Sequence, residues 1–70
     1  MEKLINKERV GNRMKSARIA AGLSQTDVAK KLGINVHTVC NWELRPDIVT
    51  FGKLEKFAEV CGVPLSYFFT

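Results

Sequence analysis

No apolar run in this 70-residue chain is long enough to cross a bilayer, and the opening MEKLINKERV has no signal-peptide core. The chain therefore reads as cytoplasmic. Cysteine is scarce, with only Cys40 and Cys61, and in that compartment both are expected as reduced thiols rather than a disulfide. No stretch alternates apolar and polar residues long enough to suggest a strand. A phosphate-cradling glycine loop is missing, as is any serine or cysteine beside a recognisable base, and the carboxylates are scattered. Catalysis is not expected. Low-complexity segments, internal repeats and linkers are absent too, so residues 1–70 read as one domain. Such a length is near the lower limit for a single apolar core.

Charge is present but unevenly placed. Residues 1–31 hold eight lysines and arginines against three acids, a balance of +5, whereas residues 32–70 hold three against four. A basic half suits an anionic partner such as nucleic acid or a membrane surface, although it also suits plain solubility.

Helical spacing recurs along the chain. Val10, Met14, Ala17 and Ala21 share one face of a first helix, which Gly22 stops. Ser24 can cap a second helix, with Asp27 completing a capping box and Leu23 stapling onto Val28. That helix buries Val28, Ala29 and Leu32 and ends at Gly33. The pattern then repeats: Asn35 caps a third helix over about Val36–Leu44, with Ile34 and Val39 as its staple. Pro46 disfavours helical geometry at Arg45 and ends it. Thr50 caps a fourth helix whose buried stripe is Leu54, Phe57, Ala58 and Cys61, with Gly62 as its stop. Pro64 suits the first turn of a short fifth helix over 64–69. The expected fold is all-α, four helices and a terminal turn, with two capped helices forming a helix-turn-helix over about 24–44.

At these residues the chain resembles a known family. GLSQTDVAKKLGINVHTVCNWE is similar to the helix-turn-helix of the Cro and phage-repressor class of DNA-binding regulators, and the similarity runs from about Val10 to Phe69. It matches at Gly22-Leu23-Ser24-Gln25, Val28-Ala29, Leu32-Gly33-Ile34, Thr38-Val39 and Trp42-Glu43. It departs where the family usually has glycine two residues after the Trp-Glu pair and proline before helix four. Arg45 and Val49 stand there, so loop 45–49 is expected to take its own path.

Residue roles follow from geometry and from the resemblance. In such motifs the second helix enters the major groove. Val36, His37 and Asn41 are expected opposite buried Val39, facing base edges. Asn41 suits adenine and Val36 a thymine methyl, while His37 can donate or accept. The alternative for each is an ordinary solvated side chain. Gln25, by resemblance and at a helix N-terminus, is expected on phosphate; Asn35, Thr38 and Arg45 are further phosphate candidates, although Asn35 can serve simply as a cap. The resemblance also implies a structural ion pair between Arg18 and Glu43. Trp42 is read as packing.

His37 and Cys40 share a helix side, but a closed zinc site needs four ligands and Cys61 falls on a buried stripe. No metal or cofactor is expected. Tyr67, Phe68 and Phe69 crowd the C-terminus, more rings than one small core easily buries, and are expected to face a second copy; the alternative is that one or two of them cover the base of helices one and four. The expected function is a homodimeric repressor on double-stranded, palindromic DNA. The competing expectation is an interaction module that binds another regulatory protein or a toxin.

Overall fold

Side chains set where the helices begin. The Ser24 hydroxyl accepts from the Asp27 backbone N–H at 3.0 Å while the Asp27 carboxylate accepts from the Ser24 N–H at 2.8 Å. This reciprocal box starts a helix by satisfying two donors that have no intrahelical acceptor. The Asn35 side chain accepts from His37 N–H at 2.7 Å, and Thr50 accepts from Lys53 N–H at 3.4 Å. Stops are equally local. Gly22, Gly33 and Gly62 carry φ of 76°, 69° and 74°, a left-handed geometry that side chains resist.

The computed structural model describes residues 7–70, with α1 at Lys7–Ala20, α2 at Gln25–Leu32, α3 at Val36–Leu44 and α4 at Phe51–Cys61. A 3-10 turn at Pro46–Ile48 joins α3 to α4, and a second, Leu65–Phe69, closes the chain. The described residues form no strand. Glu2 and Lys3, counted in the basic half above, lie outside them. Among the described residues no helix is long and apolar enough to cross a membrane.

Each of the four α-helices and the terminal turn contributes one large, fully buried side chain to the centre. Among the described residues, Met14 from α1, Val28 from α2, Val39 from α3, Phe57 from α4 and Phe68 from the terminal turn are the largest fully buried groups. Burying a side chain of this kind contributes on the order of 1.5–3 kcal/mol. The rings of Phe57 and Phe68 meet edge to face at 6.0 Å between centroids, and Trp42 lies 6.4 Å from Phe57. Val10, Ala17, Leu54, Ala58 and Cys61 complete the core on the faces their spacing indicated.

Three details depart from the sequence reading, and a further one, loop 45–49, fills in a path that the reading left undefined. Ala21 is exposed rather than buried, because α1 ends at Ala20 and the backbone is already turning toward Gly22. The terminal segment is a 3-10 turn that begins after Pro64; five residues are too few to hold an α-helix by their own hydrogen bonds. Loop 45–49 is ordered as a 3-10 turn with Pro46 buried and Val49 N–H donating to Pro46 O at 3.1 Å. Phe68, expected on a dimer surface, is 0% exposed in its own chain, so it fills the core and is not available to a second copy.

Gly11 has a role that helical pattern alone does not reveal. Glycine within a helix costs about 1 kcal/mol against alanine. Here it is buried, and a Cβ would run into the backbone carbonyl oxygen of Glu43, with Pro46 Cδ next nearest. The missing side chain lets α1 press against the C-terminal end of α3. That contact lies where α3 ends and the following turn begins.

Candidate nucleic-acid interface

Helix α3 has two unlike faces. Inward, Val39 and Trp42 are buried, the latter against Phe57 with Lys53 Nζ 6.0 Å from its ring centroid. Glu43 also turns inward. Its Oε2 accepts from Arg18 Nε at 2.7 Å, and its Oε1 accepts from Arg18 Nη2 at 3.3 Å. The two side chains are only 10% and 5% exposed. A two-pronged guanidinium–carboxylate pair fixes direction as well as distance.

The pair is the hub of a wider network. Arg18 Nη1 donates to Leu23 O at 3.0 Å, which ties the α1–α2 connection to the same guanidinium. Gln25 Nε2 donates to Glu43 Oε1 at 3.2 Å, so the first residue of α2 is tied to the last turn of α3. One amide N–H of Gln25 is engaged there, and its second N–H is the donor left to meet a phosphate. Cys61 lies close enough to feel both charges. Burial first, and then the Glu43 carboxylate, push its thiol up to about 11, while Arg18 acts in the opposite sense. It stays protonated near neutral pH and behaves as a small apolar core residue.

Outward, His37 and Asn41 are exposed and stand one helical turn apart. Val36 is half-buried against the core rather than fully outward. It precedes Val39 by three residues and so shares part of its side of the helix. Thr38 and Cys40 are half-buried as well. Glu43 is the only Asp, Glu, Lys or Arg in α3, and it points to Arg18, so no carboxylate on this helix repels an approaching phosphodiester. Asn35 has its side-chain oxygen engaged in the cap and retains its amide N–H groups for another partner. Arg45 is exposed at the end of α3, where its backbone N–H donates to Asn41 O at 2.7 Å.

The structure thus gathers Gln25, Arg18 and Glu43 into one network and presents His37 and Asn41 on the outer face of the helix it anchors. Sequence reading missed the Gln25–Glu43 bond and the Gly11 contact. An unexplained glycine inside a helical pattern was the one local sign of the second.

Comparison with known proteins accords with this arrangement. A family model described as helix-turn-helix matches residues 14–68. The chain is 30% identical over 60 residues to a protein of Sinorhizobium medicae named as an uncharacterized HTH-type transcriptional regulator, covering 86% of this chain and 43% of that one. A Rhizobium meliloti protein of the same designation matches to the same extent. The antitoxin HipB of Escherichia coli K12 is 34% identical over 62 residues, covering 84% of this chain and 70% of HipB. The chain spans under half the length of the rhizobial regulators it matches. No solved structure matches it significantly. With a match over residues 14–68 and the capped α2–α3 unit on its Arg18–Glu43 mount, the chain belongs to the Cro and phage-repressor type of helix-turn-helix family, a family of DNA-binding regulators.

Proposed function

We propose that the chain is a sequence-specific, double-stranded-DNA-binding transcriptional regulator that represses from a palindromic operator as a homodimer in the cytoplasm. The observation that carries this is the two-faced α3. Its inner face is held by Arg18, Val39 and Trp42, and its outer face offers His37 and Asn41 to a groove. Asn41 pairs with an adenine edge, His37 contacts the neighbouring base, and the uncovered part of Val36 meets a thymine methyl. Gln25, Asn35 and Thr38 hold phosphates and set register without choosing sequence. The role is binding, not catalysis.

Selection of bound duplexes from a random pool tests the proposal. The expected result is an enriched inverted repeat with half-site centres about 34 Å apart, bound with an affinity that falls as salt rises. A folded protein that enriches nothing would refute it.

The match to a relative named as an antitoxin favours a second reading, in which this fold serves chiefly to bind another protein, a toxin or a larger regulator. Stoichiometric complex formation with such a protein, indifferent to duplex DNA, is the result that reading expects.

A further inference from the structure

Among the described residues, the large apolar side chains left exposed are Ile19, Leu44, Ile48, Phe51 and Phe69, and three of these five fall between residues 44 and 51. Leu44 ends α3, Ile48 ends the 3-10 turn and Phe51 begins α4, with exposures of 73%, 52% and 63%. Solvated apolar side chains concentrated on one corner are the usual mark of a protein contact. The corner is also firmly mounted. Pro46 is buried beside Gly11, and Ile48 N–H donates to Arg45 O at 3.1 Å. A rigid surface loses little freedom on association.

Charge identifies the occupant. Between the apolar residues the corner carries Arg45 and Asp47, both exposed and of opposite sign. Around a two-fold axis residue i of one copy meets residue j of the other and j meets i. The same short segment therefore supplies both halves of two reciprocal pairs, Arg45 with the partner's Asp47 and Asp47 with the partner's Arg45. A strongly acidic or basic partner would leave one of these charges facing its like.

Position adds a reason. Leu44 ends α3, eight residues and about 12 Å along the helix from Val36, so a copy docked there leaves the first turn of α3 uncovered. Phe68, the central ring of the other apolar cluster, is buried in its own chain and leaves Phe69 as the large exposed side chain there.

We infer that the α3–α4 corner, with Leu44, Ile48 and Phe51 at its centre and Arg45 and Asp47 around them, is the surface on which a second copy of this chain docks. The inference rests on the homodimeric reading above and names its interface.

Sedimentation of the 70-residue chain, free and on the selected duplex, tests it with variants. Phe51→Asp puts an acid in the first turn of α4, where the helix dipole favours it, so the thermal melt of the free monomer should be preserved. The expected result is a wild-type dimer, a dissociation constant raised at least about 100-fold by Phe51→Asp, and no such loss with Phe69→Asp. Arg45→Asp alone and Asp47→Arg alone should each weaken the dimer about 10-fold, and the two together should restore it. A dimer that survives Phe51→Asp and is lost with Phe69→Asp overturns the corner and keeps the homodimer. A wild-type chain that is monomeric both free and on DNA overturns the homodimer, and the corner with it. A corner that instead binds an added toxin or regulator, blocked by Phe51→Asp while self-association is absent, assigns the surface to another protein and also overturns the inference.

Discussion

The two faces of α3 are built on opposite terms. The inner face is crowded: Val39 is fully buried, Trp42 packs on Phe57, and Glu43 is held by Arg18 and Gln25 together. On the outer face, His37 and Asn41 are exposed and take no part in the core. One face determines where the helix stands, and the other is open to change without loss of the fold. A nine-residue helix would not persist alone in water, so its outer face is held in place only because the inner face is anchored.

The sharpest way to break this contrast is at Glu43. Glu43→Ala leaves the nearly buried Arg18 guanidinium without its counter-charge and should cost about 3–5 kcal/mol, measured by urea unfolding. That is comparable to the whole stability expected of so small a domain. Replacing both residues, as in Arg18→Met with Glu43→Leu, should recover most of the loss. Gly11→Ala comes next. Helix propensity favours the alanine, but the contact with the Glu43 carbonyl opposes it, and displacing α3 from α1 should cost about 1–3 kcal/mol. A stabilised variant would show that α1 does not press on α3 as described.

Smaller still is the cap of α2. Ser24→Ala should cost about 1 kcal/mol. The box also predicts a pH dependence with a definite sign. Hydrogen bonds from the Ser24 backbone, chiefly, and from its side chain hold the Asp27 carboxyl below its ordinary 3.8, with Lys30 and Lys31 adding to them. A carboxyl lowered by folding contributes stability that is fully present above its unfolded value and is lost as pH falls through the folded one. Denaturant midpoints should therefore drop below about pH 4, and Asp27→Asn should flatten part of that fall. Asn41→Ala and His37→Ala stand at the other extreme. Each should alter stability by less than about 0.5 kcal/mol.

How much of this was legible beforehand depends on the range of the cause. Ser24, Asn35 and Thr50 cap the helices they were assigned, and Gly22, Gly33 and Gly62 adopt the left-handed stops, because a cap or a stop is settled within four residues of chain. Contacts between distant segments were harder to read. The Gly11 approach to Glu43 and the Gln25–Glu43 bond join residues 32 and 18 positions apart. The Arg18–Glu43 pair, 25 positions apart, was anticipated through family resemblance rather than periodicity. At the C-terminus, three adjacent aromatics gave no local sign of which would turn inward. That depends on Phe57, which Phe68 meets edge to face. The corner after α3 was flagged as unusual because Arg45 and Val49 depart from the family pattern, yet its 3-10 turn depends on the burial of Pro46.

The central claim is that the outer face of α3 reads DNA while its inner face merely holds it. Selecting duplexes from one random pool with wild type and with Asn41→Ala, side by side and at equal salt, tests it most directly. The account predicts an inverted repeat for both proteins, with preference relaxed in the variant at one position in each half-site and about 1–3 kcal/mol lost on the wild-type sequence. The same consensus bound with the same affinity by both proteins would contradict it.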